Sequence, residues 1–287
     1  MQNVPKAKDL LRERVKSIWQ ILLLASLLLA GLRPAQGQAQ SLPFGVGESA
    51  RYGAYYNWHF IWINAGEVVF SCDTLSHRGR PAWNFRAIGK TYKAYDVFYS
   101  VRDTFESVVS YPEFKPVWFR RAVNHGQGHS SHEYDFDVKS AKIFSKIHRE
   151  DEKPFTDQLH YKPEVLDLLS TAYRFRSYDF DRMTEGRKVN FSMLVDNKIE
   201  DLYFRYRGTE EVKTRNGRKF QCHRISVWLL EGDFFPAGEY MQIWFTADKN
   251  RLPIMVETKI KIGSVKAVFL DALQLKYPLE AETGLKN

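Results

Sequence analysis

From Glu48 onward, short runs rich in Tyr, Phe, Trp, Val and Ile alternate with turn signals. Aromatic and β-branched residues suit a pleated surface, so the pattern predicts strands. "ARYGAYYNWHFIWI" (50–63) reads as a first strand, "NAGE" (64–67) as a turn and "EVVFSCDTL" (67–75) as the strand that returns. Gly66 can supply a positive φ in that turn. "SHRGRP", "YPEFKP", "RNGR" and "DKNRLP" mark further turns, and Asn-Gly in "RNGR" is a strong short hairpin signal. About a dozen strands follow from these signals. The connections are short, as between antiparallel neighbours, and neither an internal repeat nor a flexible linker divides the chain.

One stretch breaks the pattern. In "PEVLDLLSTAYRFR" the residues Val165, Leu168, Leu169, Ala172 and Tyr173 fall at i, i+3, i+4, i+7 and i+8, one stripe of a helix. The expected helix covers about 163–176. Pro163 suits its first turn, Glu164 and Asp167 the positive end of its dipole, and Arg174 and Arg176 the other end. Thr171 is expected on its polar side. A large antiparallel sheet curls because its strands twist, and an amphipathic helix can bury the concave face. The expected fold is all-β dominated: a large curved antiparallel sheet, or a half-open or closed β-barrel, with one covering α-helix.

The amino terminus adds a compartment. A basic stretch precedes an apolar run at 18–32, and "RPAQGQAQ" follows with small residues. This order predicts a secretory signal peptide over 1–37 and a single β domain over 38–287. The apolar run is shorter than the ~20 residues of a spanning helix, so the mature chain is expected in the periplasm or outside the cell with no transmembrane segment. Residues 1–37 carry six Lys/Arg and two Asp/Glu, and without that surplus of four the formal charge falls from +8 to +4. The scattered charge that remains gives no electrostatic argument for nucleic acid. Cys72 and Cys222 can pair in an oxidising compartment or stand as separate buried thiols.

Candidate chemistry is sparse. His125, His129 and His132 lie within eight residues, and imidazoles ligate zinc or copper. Gly126 and Gly128 argue instead for a hairpin tip. Carboxylates at Glu48, Glu67, Asp73, Asp103, Glu106 and Asp248 are dispersed. The chain has no P-loop, dinucleotide fingerprint or metalloprotease helix, and "GES" lacks the glycine of a nucleophile elbow. No cofactor is expected. Along the first strand Tyr52, Tyr56, Trp58, Phe60 and Trp62 share one face, as core or as the lining of an apolar cavity. Tyr56 and Trp58, with Leu168, Leu169 and Tyr173 of the helix, are the candidate lining or covering residues. The favoured function is a non-enzymatic binder or carrier of an apolar or amphiphilic ligand, such as a lipid. A structural partner of another envelope protein is the alternative, and a hydrolase of envelope glycans or lipids the third.

"FGVGE" (44–48), "NAGE", "SVRD" (100–103), "DLLSTAYRFR" (167–176) and "WFTADKNRLPI" (244–254) occur in an order that resembles domain-of-unknown-function family 3108, a group of exported bacterial proteins. The resemblance implies no activity and transfers no site residues. An aromatic strand, an Asp-led turn and "RLPI" are also similar to the closing hairpin of periplasmic lipoprotein carriers. That likeness implies a half-open barrel whose helices cover an apolar concave face.

Overall fold

The computed structural model describes residues 42–58, 61–96, 100–125, 128–150, 152–162, 164–229, 237–260 and 263–284, apart from the side chains of Trp58, Ile61 and Tyr95. The expected signal segment lies outside them. Among the described residues fourteen strands form one antiparallel sheet. A first meander comprises β1 (Glu48–Trp58), β2 (Ile61–His77), β3 (Arg80–Thr91), β4 (Arg102–Ser110), β5 (Pro116–His125), β6 (Gly128–Asp137), β7 (Lys142–Arg149) and β8 (Phe155–His160). A second comprises β9 (Lys188–Val195), β10 (Lys198–Lys213), β11 (Lys219–Leu229), β12 (Gly238–Thr246), β13 (Pro253–Lys259) and β14 (Ser264–Leu273). The last strand returns to pair with the first, so β8 and β9 are the two edges of the sheet.

No ladder joins β8 to β9, and the sheet is not a closed barrel. Its ends nevertheless meet. Asn197, in the β9–β10 turn, donates to Asp157 Oδ2 on β8 at 2.8 Å, and Arg121 on β5 pairs with Asp196 of the same turn. A sheet this wide curls under its own twist, and here the curl brings its edges within side-chain reach.

The short helix α1 (Lys93–Asp96) links β3 to β4, and α2 (Leu168–Phe175) lies between β8 and β9 in the chain. This explains the place of α2. The chain must cross from one edge strand to the other, and it does so through the inside of the curl, packing on β3, β4 and β9. Phe85 stacks on Tyr173 with ring centroids 3.9 Å apart, and Phe175 packs on Phe204 at 4.7 Å.

The helix is shorter than its stripe suggests. Asp167 is its N-cap, accepting from the amides of Leu169 (2.8 Å) and Ser170 (3.0 Å), while Ser170 Oγ accepts from the Asp167 amide. That capping box fixes the start. The preceding residue is extended: Leu166 bridges Met193 of β9 in parallel and covers part of that edge. Thr171 is fully buried, contrary to the expected polar side. In a plug with walls all round, a polar face has no solvent to meet.

Two strand expectations also change. "NAGE" is not a turn but a bulge inside β2: Gly66 pairs with Ala54 and Asn64 with Tyr55, leaving Ala65 as the extra residue. The hairpin reverses instead between Trp58 and Ile61. Strand β8 carries no apolar alternation because almost all of it is exposed.

Candidate functional site

Three of the sequence motifs meet at one guanidinium. Arg176, just past α2, is 4% exposed and Glu48, at the start of β1, is 2% exposed. Arg176 makes a two-pronged pair with the Glu48 carboxylate, with NH2 donating to Oε2 at 3.1 Å and NH1 to Oε1. Its Nε donates to the Asn250 carbonyl at 3.0 Å and NH2 to the Pro43 carbonyl at 3.1 Å. "FGVGE", "DLLSTAYRFR" and "DKNRLP" are thus joined through a buried, neutral ion pair. Asn250 continues the clamp by donating to the carbonyls of Tyr277 and Pro278 and accepting from the Tyr277 amide.

Beside this pair is a cavity of about 50 Å³, larger than the ~10–15 Å³ a single water requires. Ala172, Tyr173 and Arg176 form its helix wall, and Glu48, Ala50, Tyr52, Phe70, Leu252, Pro253, Val256 and Ala267 form its sheet wall. Phe70, Ala172 and Pro253 are half-buried and mark its mouth. Two buried tyrosines line it, Tyr52 and Tyr173. Neither hydroxyl has a hydrogen-bond partner among the described residues. Burial pushes both phenols well above the ordinary tyrosine range, so both keep their protons.

Of the residues singled out in the sequence, Tyr173 lines this cavity. Leu168 and Leu169 are buried in the core and cover the sheet, and Tyr56 is buried in the same core. The Trp58 side chain lies outside the described residues. The sequence does not bring Tyr52, Glu48 and Arg176 together as a site. Tyr52 was legible as a neighbour of Tyr56 on one strand face, whereas the Glu48–Arg176 pairing spans 128 positions and has no local signal.

The three histidines take separate partners. His125 Nε2 lies 2.9 Å from Asp103 Oδ2, a buried pair in which desolvation raises the carboxyl. His129 Nδ1 meets Asn124 Oδ1 at 2.6 Å. His132 Nδ1 meets the Tyr134 hydroxyl at 3.1 Å, and burial beside Arg121 pushes this imidazole down to about 3. Among the described residues no group of His, Cys, Asp and Glu could hold a metal ion. Cys72 and Cys222 are separate free thiols rather than a disulfide. They sit on β2 and β11 with four strands between them in the sheet order. Burial pushes Cys222 up to about 12 and raises Cys72 as well, so neither presents a thiolate.

Other carboxylates serve the fold. Glu67 pairs with Lys90 at 2.9 Å and with Arg51 at 3.6 Å. Asp248 accepts from Thr246 Oγ1 and from the amides of Asn250 and Ala281, closing the β12–β13 turn. A row missed in the sequence runs from Arg251 through Asp181 and His223 to the Tyr206 hydroxyl, at 2.7, 3.2 and 2.9 Å. Its phenol is raised by burial rather than lowered, which makes it a poor nucleophile. Among the described residues no helix is long and apolar enough to cross a membrane.

Comparison with known proteins agrees with this architecture. No curated protein matches the chain. Among solved structures, a β-barrel-like protein of domain of unknown function DUF1849 from Brucella abortus is similar, with a TM-score of 0.50 at 9% identity, covering 79% of this chain and 97% of that one. At that identity the likeness is one of fold. The family described as Protein of unknown function (DUF3108) matches residues 51–269, and the chain belongs to that family.

Proposed function

We propose that this protein is an exported, non-enzymatic binder of an apolar or amphiphilic ligand, and that it holds one end of the ligand in the cavity beneath α2. The observation that carries this reading is the cavity itself. Its walls are aliphatic and aromatic, and among the described residues its charged groups are a mutually neutralised pair. Sites for drug-sized molecules enclose roughly 300–1,000 Å³, so the cavity of about 50 Å³ suits a chain end or a small ring, with the rest of the ligand beyond Phe70 and Pro253. The basic, apolar and small-residue order of 1–37 supports export to the periplasm or beyond. The tyrosines of β1 are taken up within the chain: Tyr52, Tyr55 and Tyr56 are all buried, Tyr55 beneath the Arg215 guanidinium at 4.6 Å.

Native mass spectrometry of protein recovered from its own host tests the reading. The wild type should carry an extractable apolar adduct. Ala172→Trp, which fills the mouth from the helix side, should be recovered empty. Wild-type protein that is consistently empty would remove the proposal.

A further inference from the structure

The floor of the cavity is chemically particular. Arg176 is neutralised by Glu48 and also serves two backbone carbonyls, so its guanidinium is not an open anion site. A carboxylate entering the cavity would bring a second negative charge beside Glu48 into a desolvated space, which is heavily penalised. Tyr52 and Tyr173 differ from that pair. Both are buried, both line the cavity, and neither phenol has an acceptor among the described residues. The cavity is large enough for water to accept from them, so a ligand that displaces the water must supply an acceptor or leave the donors unpaired. The Arg176 guanidinium lies 5.7 Å from the Tyr173 ring centroid, and Tyr52 lines the same cavity as the Glu48–Arg176 pair. The cavity therefore offers apolar walls and two neutral donors.

We infer that the cavity selects an apolar group bearing a neutral hydrogen-bond acceptor, such as an ester, ketone or amide carbonyl, with Tyr52 and Tyr173 as donors, and that it discriminates against free carboxylates. This inference rests on the proposed binding function and adds the ligand class. It also makes the two tyrosines the specificity-determining residues. The substitution Tyr→Phe at either position removes only a hydroxyl that faces the cavity and bonds no described residue, so both variants should melt like the wild type.

The test is a calorimetric titration with methyl decanoate, decanoate and decane at pH 8, on the wild type, Tyr52→Phe and Tyr173→Phe. Methyl decanoate should bind tightest to the wild type. Each substitution should weaken it by roughly threefold to tenfold, the loss expected of one neutral hydrogen bond, and leave decane unchanged. Equal affinity for all three probes, tighter binding of decanoate, or methyl decanoate binding that is indifferent to both substitutions would overturn the inference while leaving an apolar binder in place. If none of the probes binds, the binding function fails and the inference fails with it.

Discussion

Two buried acidic residues carry the sharpest consequences. Desolvation pushes Asp167 up to about 6 from an ordinary 3.8, against its hydrogen bonds from Ser107, Ser170 and the Leu169 amide. Between those values the folded protein binds the proton that the unfolded chain has released. This contribution therefore favours the fold below about pH 4 and is lost as the pH rises through 6, a swing of the order of 2–3 kcal/mol. Asp167→Asn keeps the acceptor for the Leu169 and Ser170 amides and turns the other arm into a donor to Ser107. Relative to the wild type, it should gain stability between pH 4 and pH 7 in denaturant titrations, and a difference that does not change with pH would refute the assignment. Glu48 matters through its buried pair with Arg176. Glu48→Gln strands the buried Arg176 charge and should reduce stability by roughly 3–5 kcal/mol. Pairing Glu48→Leu with Arg176→Met should restore only part of that loss, because the Pro43 and Asn250 carbonyls lose their donor. Urea unfolding of the single and double variants measures both.

The elements show what the sequence can and cannot carry. The turn at "SHRGRP" is legible because Arg78 and Gly79 take positive φ as a tight hairpin requires. The type of element at "DLLSTAYRFR" is legible from its period. Its limits are not, because Asp167 reads equally well as a first-turn acid or as an N-cap, and the buried capping box decides between them. "NAGE" carries turn residues, yet the ladder continues through it, since the glycine that permits a turn also permits a bulge. Strand β8 has no apolar period, being held by one neighbour on an open edge. The polarity of Thr171 misleads most. Its Oγ1 is buried without a partner among the described residues. Thr171→Val should be neutral or stabilising by up to about 1–2 kcal/mol, whereas Thr171→Asp and Leu169→Asp, each placing a charge in the buried seam, should both abolish the cooperative thermal melt. A silent Thr171→Asp would place this face of the helix in solvent and contradict the plug.

At the scale of the whole molecule, fourteen strands are held in register by ladders everywhere except at one seam. There the ends depend on Asn197–Asp157, Arg121–Asp196 and the Leu166 bridge. Local opening should follow that division. Asn197→Ala should speed amide exchange along β8 by roughly fivefold, about one hydrogen bond's worth, with β1, β2 and β14 unaffected. A uniform change across the sheet would mean that the seam opens only with global unfolding. The curl also places α2 against the sheet and leaves the cavity beside Tyr173 at the join of the two meanders. This position was not legible, because it depends on the return of β14 to β1 and on an ion pair between distant motifs. The most direct measurement is a crystal structure of the protein soaked with 2-bromoethyl decanoate, whose bromine lies within a few bonds of the ester carbonyl, using the bromine anomalous signal. The account predicts one peak in or at the mouth of the cavity, bounded by Tyr52, Phe70, Tyr173 and Val256. A peak elsewhere, or none at saturating ester, would contradict it.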